Sequence, residues 1–130
     1  MPYINIRLGA VLNNIQKEEL FKTTTSLMNT VMKKRQEVTV VHIQESEASQ
    51  WSTNSEQLSS NVPIGAYVDI KVTKGTNTPE EKKEMIAKTI KMLQDIVGTM
   101  QEACYVVIDD ISADSWGYNG KTQAMRVNKT

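Results

Sequence analysis

Pro2, directly after Met1, is the residue whose type and position could do chemistry by itself. Removal of Met1 would leave its nitrogen as a free secondary amine. Unfolded α-amino groups titrate at about 7.7–8.0, and an apolar pocket or a nearby lysine lowers that pKa. The amine would then be a general base near neutral pH, able to move a proton on carbon next to a carbonyl group. The alternative is that Pro2 only begins an edge strand, where a missing N–H is harmless.

Metal and disulfide chemistry have little support in the sequence. The chain has one cysteine, Cys104, and one histidine, His42. A single cysteine cannot form an intramolecular disulfide, and one histidine cannot complete a Cys/His zinc site. We therefore expect no metal and no cofactor. His42 has no evident partner in the sequence, so we interpret it as structural.

The charge balance argues against nucleic-acid and membrane partners. Fifteen basic and fifteen acidic residues cancel, which removes any whole-chain attraction to a polyanion. The apolar runs are too short to span a bilayer, and no basic segment precedes a long apolar stretch at the N-terminus. We predict a cytoplasmic protein that acts on a small molecule. A glycosylation pattern at Asn128 is interpreted as a chance match.

The elements that must position Pro2 occur in two similar halves. PYINIRL at 2–8 resembles AYVDIKV at 66–72, and VVHIQESEASQW at 40–51 resembles YVVIDDISADSW at 105–116. We predict one domain over residues 1–130, made of two pseudo-repeats at about 2–60 and 66–130. Pro2 faces Ala66 in this alignment, so only the first half keeps the proline.

Each half has the pattern of a strand, a helix and a strand. Alternating polar and apolar residues predict half-buried strands. Thr78, Pro79 and Glu81 are typical of a helix start, and the first helix begins near Asn13 or Asn14. The apolar residues at helical spacing are Leu20, Phe21, Leu27, Met28, Val31 and Met32 in the first half, and Met85, Ile86, Leu93, Ile96, Val97 and Met100 in the second.

The predicted fold class is α+β, with tandem β-α-β repeats in one four-stranded sheet and both helices on one face. A strand–helix–strand order favours parallel pairing within each half. The polar stretch at 46–65 predicts a linker with a short turn or hairpin. Because two helices cover only one face of the sheet, the simplest cover for the other face is another copy of the chain.

These features together resemble the tautomerase superfamily, which includes 4-oxalocrotonate tautomerase, macrophage migration inhibitory factor and cis-3-chloroacrylic acid dehalogenase. The likeness rests on Pro2, the repeated β-α-β plan, the helix start TPEEKKEMI and the tail DDISADSWGYNG. It implies a homotrimer of fused two-unit chains in which the amino-terminal proline is the catalytic base. The second copy is then free to become Ala66, because an internal residue has its nitrogen in an amide.

The resemblance also implies pocket residues for small carboxylated keto acids. Lys34 matches a pocket lysine of migration inhibitory factor; the alternative is a solvated lysine at a helix C-terminus. Lys74, before Gly75, lies where relatives place pocket residues, or is a solvated turn lysine. Tyr105 matches a pocket tyrosine from a neighbouring subunit, or packs against the helix. Trp116 matches the aromatic residue on the apolar side of the pocket, or is a buried structural tryptophan.

The sequence also departs from the family pattern. The two arginines of 4-oxalocrotonate tautomerase align with Leu12 and Val40, and in the second half with Tyr105 and a position near Thr76. An acidic substrate would then depend on the lysines, on Arg7 or on Arg35.

We predict a keto–enol tautomerase with Pro2 as base. The alternatives are a non-catalytic trimeric interaction protein and a proline-dependent dehalogenase or hydratase. The dehalogenase is less favoured because we find no match for the acidic water-activating residue that such enzymes carry near the C-terminus. Trp51, the first-half copy of Trp116, is interpreted as structural.

Overall fold

The computed structural model describes residues 2–127. Met1 and the glycosylation pattern at Asn128 lie outside the described residues. Eight strands and three α-helices follow one another in this range. In chain order they are β1 (Tyr3–Leu8), α1 (Asn14–Thr30), β2 (Val40–Glu45), β3 (Ser52–Thr53), β4 (Glu56–Gln57), β5 (Ala66–Thr73), α2 (Pro79–Ile96), β6 (Tyr105–Ile111), β7 (Gly117–Tyr118), β8 (Lys121–Thr122) and α3 (Gln123–Val127).

The four long strands form one sheet in the order β2-β1-β5-β6. β1 pairs with β2 in parallel, β5 pairs with β6 in parallel, and β1 and β5 pair antiparallel at the centre. Ile4 lies opposite Ile70 at this central junction. The prediction of two β-α-β units joined in one four-stranded sheet is confirmed.

Both main helices begin with the local signals that the sequence carries. The Asn13 side chain accepts a hydrogen bond from the Gln16 amide, and the Gln16 side chain accepts one from the Asn13 amide. Thr78 and Glu81 form the same reciprocal pair before α2. Each pair satisfies two amide groups that a helix start leaves without partners. Both predicted helix starts are confirmed.

The core lies between one face of the sheet and the two helices. Alternate residues of the central strands are fully buried there, including Ile6 and Val68, and they pack with Met28 and Leu93 from the helices. Two residues that the helical spacing placed on the same stripe, Phe21 and Ile86, are instead about 40% exposed, at 41% and 39%. The buried stripe of each helix is narrower than the sequence pattern predicted.

The opposite face of the sheet is polar and only partly covered within one chain. Arg7 stacks 5.4 Å from the ring centroid of Tyr67, and Lys71 lies 3.1 Å from a carboxylate oxygen of Asp109. Strand alternation places these side chains away from the helices. The face thus remains available to another copy of the chain.

His42, on this face, has a partner that the sequence did not reveal. Asn5 is opposite His42 in the β1–β2 register, and the Asn5 amide nitrogen lies 2.8 Å from His42 Nδ1. The expectation of a histidine without a partner is therefore wrong. The interpretation of His42 as a structural residue is consistent with this contact.

The segment between the halves forms the small hairpin β3–β4, as predicted. Trp51, just before it, packs so tightly against two glycines that a Cβ at Gly9 would lie 2.8 Å from the indole, and one at Gly65 would lie 2.9 Å from it. The indole nitrogen also donates to Ser46 Oγ at 2.8 Å. Trp51 therefore seals the end of the sheet where β5 begins.

Among residues 2–127, the helices are all too short or too polar to cross a membrane.

Candidate active site

Pro2 is buried and lies directly before β1, which begins at Tyr3. Its carbonyl oxygen accepts a hydrogen bond from the amide of Val40 at 3.4 Å, where β2 begins. Because Tyr3 pairs with Lys71 in the antiparallel register, Pro2 lies beside the last residues of β5. The sheet topology thus gathers the segment before β2 and the segment after β5 around Pro2.

A cavity of about 370 Å³ opens beside Pro2. Its walls are formed by the start of β1, the turn before β2 and the hairpin β7–β8. The residues that line it are Pro2, Tyr3, Glu37, Val38, Val40, Trp116, Gly117 and Tyr118. Most of this lining is apolar, so a charge placed in the cavity loses much of its hydration.

Trp116 closes the cavity from the side of the β7–β8 hairpin. Its indole nitrogen donates to Thr73 Oγ1 at 3.2 Å, which fixes the ring against the end of β5. Gly117 allows the tight hairpin, because a Cβ at this position would overlap the carbonyl group of Lys121. The predicted apolar wall and the alternative of a structural tryptophan therefore both fit Trp116.

Lys34 lies close to the end of β5 but does not line the described cavity. It is only 8% exposed, and its Nζ donates to Thr76 Oγ1 at 2.6 Å, while Thr76 Oγ1 donates to the Thr73 carbonyl at 2.6 Å. Burial lowers the pKa of Lys34, and the charges of Glu81 and Asp110 act against this shift. The alternative of a solvated helix-end lysine is wrong.

Lys74 is exposed, and its backbone amide donates to the Ile111 carbonyl at 2.8 Å. It lies outside the described lining of the Pro2 cavity. Its position after β5 keeps it at the same edge of the sheet as Pro2. Within a single chain, Lys74 is therefore a solvated turn lysine.

Tyr105 lies at the opposite end of the sheet from Pro2. It pairs with Tyr67, which pairs with Arg7, five residues beyond Pro2. At about 3.3 Å per residue the two sites are about 16 Å apart along the strands. Tyr105 is 64% exposed, so the alternative that it packs against the helix is wrong.

The cavity also includes polar residues that the sequence analysis did not identify. Glu37 and Tyr118 line it. Arg35 Nε lies 3.2 Å from Glu37 Oε2, and the Arg126 guanidinium stacks 3.8 Å from the Tyr118 ring centroid. One signal was available: the parallel pairing of β1 and β2 puts residues just before Val40 beside Pro2. The position of Arg126 depends on the hairpin and had no such signal.

The two ends of the sheet differ in their chemistry. Ala66, the counterpart of Pro2, is buried without a titratable group, and Trp51 packs beside it against Gly65.

In the part of the chain that the structure describes, no group of three or more His, Cys, Asp or Glu side chains is placed to hold a metal ion.

Comparison with known proteins finds sequence similarity to tautomerases over about half of the chain. A family model described as "Tautomerase enzyme" matches residues 67–125. The curated protein "Probable tautomerase K2" of Dickeya dadantii (strain 3937) is 35% identical over 60 residues, which cover 46% of this chain and 90% of that protein. The range matched by the family model, residues 67–125, includes Lys74, Tyr105 and Trp116.

Solved structures are similar over nearly the whole chain. A native fused 4-OT superimposes with a TM-score of 0.83 at 20% identity, covering 95% of this chain and 97% of the other. An asymmetric trimer of another fused 4-OT gives 0.82 at 17%, with coverages of 95% and 98%. The macrophage migration inhibitory factor-like protein of Entamoeba histolytica gives 0.76 at 17%, with coverages of 93% and 97%.

Proposed function

The chain belongs to the tautomerase family and is an isomerase-type enzyme, and we propose that it is a keto–enol tautomerase whose general base is Pro2. Its substrates are small carboxylated enol or keto acids. The observation that carries the proposal is the burial of Pro2 beside a largely apolar cavity that Trp116 closes. The proposal requires removal of Met1, which frees the proline nitrogen.

The apolar walls suit the proline amine to this role. An ammonium ion there would be poorly hydrated, so the cavity lowers the pKa of the amine below the range of about 7.7–8.0 of ordinary α-amino groups. The amine accepts the hydroxyl proton of an enol as the C=O bond forms, and the proton returns to the neighbouring carbon. The reaction therefore moves one proton and gains or loses no atom.

The negative charge that develops on the substrate oxygen needs donors close to it. Tyr3 and Tyr118 line the cavity and carry hydroxyl groups that can donate. Lys34 adds positive charge from behind Thr76 and so disfavours the ammonium form of Pro2. Lys74, exposed at the same edge, attracts the anionic substrate over a longer range.

Tyr105 can reach a Pro2 cavity only in an assembly of several copies, because the two residues lie at opposite ends of the sheet in one chain. We assign Tyr105 to the cavity of a neighbouring chain in a homotrimer. The exposure of its side chain and the incompletely covered polar face of the sheet support this assignment.

The test compares Pro2→Ala with Pro63→Ala in an assay of enolic phenylpyruvate. Pro63 is an exposed loop residue outside the cavity, so this variant makes the same change without touching the site. We expect Pro2→Ala to lose nearly all turnover and Pro63→Ala to keep it. Mass spectrometry of the purified protein must also show that Met1 is absent. Retained Met1, or an active Pro2→Ala variant, would rule out the proposed base.

A second candidate function is a non-catalytic oligomer that acts through protein contacts. It is favoured by the absence of any lysine or arginine from the described lining of the cavity. This candidate predicts no turnover over a panel of enols, together with a Pro2 amine of ordinary basicity.

A further inference from the structure

Glu37 is the single charged side chain among the residues that line the Pro2 cavity in residues 2–127. It belongs to a short 3₁₀ turn, Gln36–Val38, that leads into β2. A carboxylate at this position repels an anionic substrate. A cation close to Glu37 would offset this repulsion at the cavity itself, in addition to the more distant charges of Lys34 and Lys74.

Arg35 supplies a cation at this place. Its Nε lies 3.2 Å from Glu37 Oε2, with both side chains 69% exposed. Its backbone is fixed as well, since Thr39 Oγ1 donates to the Arg35 carbonyl at 2.6 Å. An ion pair this exposed adds little to the stability of the fold, so a structural role does not account for it.

Among residues 2–127, Glu37 contacts the Arg35 guanidinium at Nε, and this geometry leaves the terminal nitrogens available for a ligand. Glu37 accepts a hydrogen bond from Nε, which is the N–H on the inner side of the group. The two terminal nitrogens form the fork that binds a carboxylate through two parallel hydrogen bonds. We infer that Arg35 binds the substrate carboxylate at the mouth of the Pro2 cavity and that Glu37 positions the guanidinium.

Arg126 is the other arginine near the cavity, and its surroundings suit a different role. Its guanidinium stacks on the Tyr118 ring, 3.8 Å from the centroid, and Nη2 donates to the Tyr118 carbonyl at 2.9 Å. These contacts hold one terminal nitrogen against the hairpin. Arg126 therefore supports the wall of the cavity and does not present a free fork to a carboxylate.

The inference rests on the proposed tautomerase function and is tested by steady-state kinetics on two substrates. Enolic phenylpyruvate carries a carboxylate, and its methyl ester does not. We expect Arg35→Gln to raise KM for the acid about tenfold, with kcat changed less than about twofold and the ester unaffected. Lys33→Gln removes a neighbouring charge whose Nζ donates to the Thr30 carbonyl, and should change neither substrate.

Variants of Glu37 separate positioning from chemistry. Glu37→Gln keeps an oxygen that can accept from Arg35 Nε, whereas Glu37→Ala removes it. We therefore expect KM for the acid to rise in Glu37→Ala, where the loss of positioning outweighs the loss of the repelling charge. In Glu37→Gln we expect KM to return to the wild-type value or fall below it, with kcat preserved in both variants. A collapse of kcat in Glu37→Gln would instead make the carboxylate a chemical participant and overturn the positioning role.

The outcome for Arg35 is independent of the outcome for Pro2. If Pro2→Ala is inactive while Arg35→Gln keeps the wild-type KM for the acid, the inference fails and the tautomerase proposal stands. If Arg126→Gln raises KM selectively for the acid and Arg35→Gln does not, the carboxylate site belongs to Arg126. An active Pro2→Ala variant rules out Pro2 as the base, and the comparison of KM for the acid and the ester still tests the carboxylate site at Arg35.

Discussion

Two neighbouring side chains, Trp116 and Lys34, are expected to set the basicity of Pro2. Trp116 excludes water from one side of the cavity, and its bond to Thr73 holds it there. Lys34 brings a buried amine close to the same end of β5. Both effects disfavour a protonated proline, one by dehydration and the other by charge repulsion.

Replacement of Trp116 should separate these effects. Trp116→Ala opens the cavity to water, so the pKa of Pro2 rises toward its ordinary range and the ascending limb of the pH–kcat/KM profile moves to higher pH. For a rise of about one pKa unit we expect a loss that approaches tenfold on the acidic limb, below the wild-type pKa of Pro2, and is smaller at pH 7. Trp116→Phe keeps an apolar wall and loses the bond to Thr73, so its profile should stay near that of the wild type. An unshifted limb in Trp116→Ala would show that the indole does not set the basicity.

Lys34→Met should affect activity and stability in opposite directions. Removing the charge raises the pKa of Pro2 and shifts the ascending limb upward, as in Trp116→Ala. Because burial lowers the pKa of Lys34 below its unfolded value, the ionised lysine destabilises the fold. This cost is fully present below the folded pKa, shrinks as the pH rises above it, and is gone only above the higher pKa of the unfolded state.

Chemical denaturation at several pH values checks the stability part of the Lys34 prediction. The variant should exceed the wild type in free energy of unfolding at neutral pH, and the difference should shrink toward alkaline pH. A variant that is less stable than the wild type at pH 7 would contradict the account of a costly buried amine.

At the scale of elements, the ends of the strands carry both stability and function. Glu45, the last residue of β2, accepts a hydrogen bond from the Leu12 amide at 2.6 Å and lies 2.8 Å from Lys17 Nζ. These contacts fasten β2 to the loop before α1 and to the helix itself. The other end of β2 carries Val40, which lines the Pro2 cavity.

Glu45→Ala should lower the free energy of unfolding by about 1 kcal/mol at pH 7, since two charge-assisted contacts of a partly exposed carboxylate are lost. Those contacts lower the pKa of Glu45, with the bond from Lys17 as the largest cause. The stabilisation of the fold by Glu45 is therefore complete above the ordinary carboxyl pKa of about 4.3. It is lost as the pH falls through the lower pKa that Glu45 has in the folded chain. Urea unfolding at pH 7 and pH 3 measures the change, with exposed Glu47→Ala as control. An effect of equal size at both pH values would exclude this contribution.

The elements themselves were predictable from sequence because their signals are local. The caps at Asn13 and Thr78 depend on residues three positions apart, and strand alternation needs only a short window. The buried side of each helix was harder to predict. Phe21 belongs to the same set of apolar residues at helical spacing as Leu20, but its side chain is exposed to solvent. Which side of a helix is buried depends on the sheet beneath it, which a single helix sequence does not contain.

The site was predictable only in part, because the register between strands determines which side chains lie next to Pro2. The contact between Asn5 and His42 joins residues 37 positions apart, and no local pattern specifies that pairing. The same register brings Glu37 to Pro2 and leaves Tyr105 far away. Residue types suggested the base and the tryptophan, whereas the polar edge of the cavity needed the folded chain.

In the whole molecule, Tyr105 and Pro2 lie so far apart in one chain that Tyr105 can contribute to a Pro2 cavity only if copies of the chain share their sites. If each site takes Pro2 from one chain and Tyr105 from another, two inactive variants can restore activity when mixed. Co-refolding equal amounts of Pro2→Ala and Tyr105→Ala should give about a quarter of the wild-type number of active sites. In a randomly assembled heterologous ring, about one site in four takes its Pro2 from a Tyr105→Ala chain and its Tyr105 from a Pro2→Ala chain.

The control for this mixing experiment combines Pro2→Ala with the double variant Pro2→Ala/Tyr105→Ala, which has no intact Pro2 and should stay inactive. Light scattering should report the mass of three chains for each mixture. If activity of the first mixture only equals the average of its two inactive parents, Tyr105 does not act across the interface.

The proposed mechanism needs an uncharged Pro2 amine near neutral pH, and titration of its nitrogen by ¹⁵N NMR in protein labelled with [¹⁵N]proline measures this property directly. The chain contains three prolines, and Pro63 and Pro79 have amide nitrogens that do not titrate. We predict one titrating signal with a pKa below the ordinary α-amino range of about 7.7–8.0. A pKa within or above that range, or no titrating signal, would contradict the account.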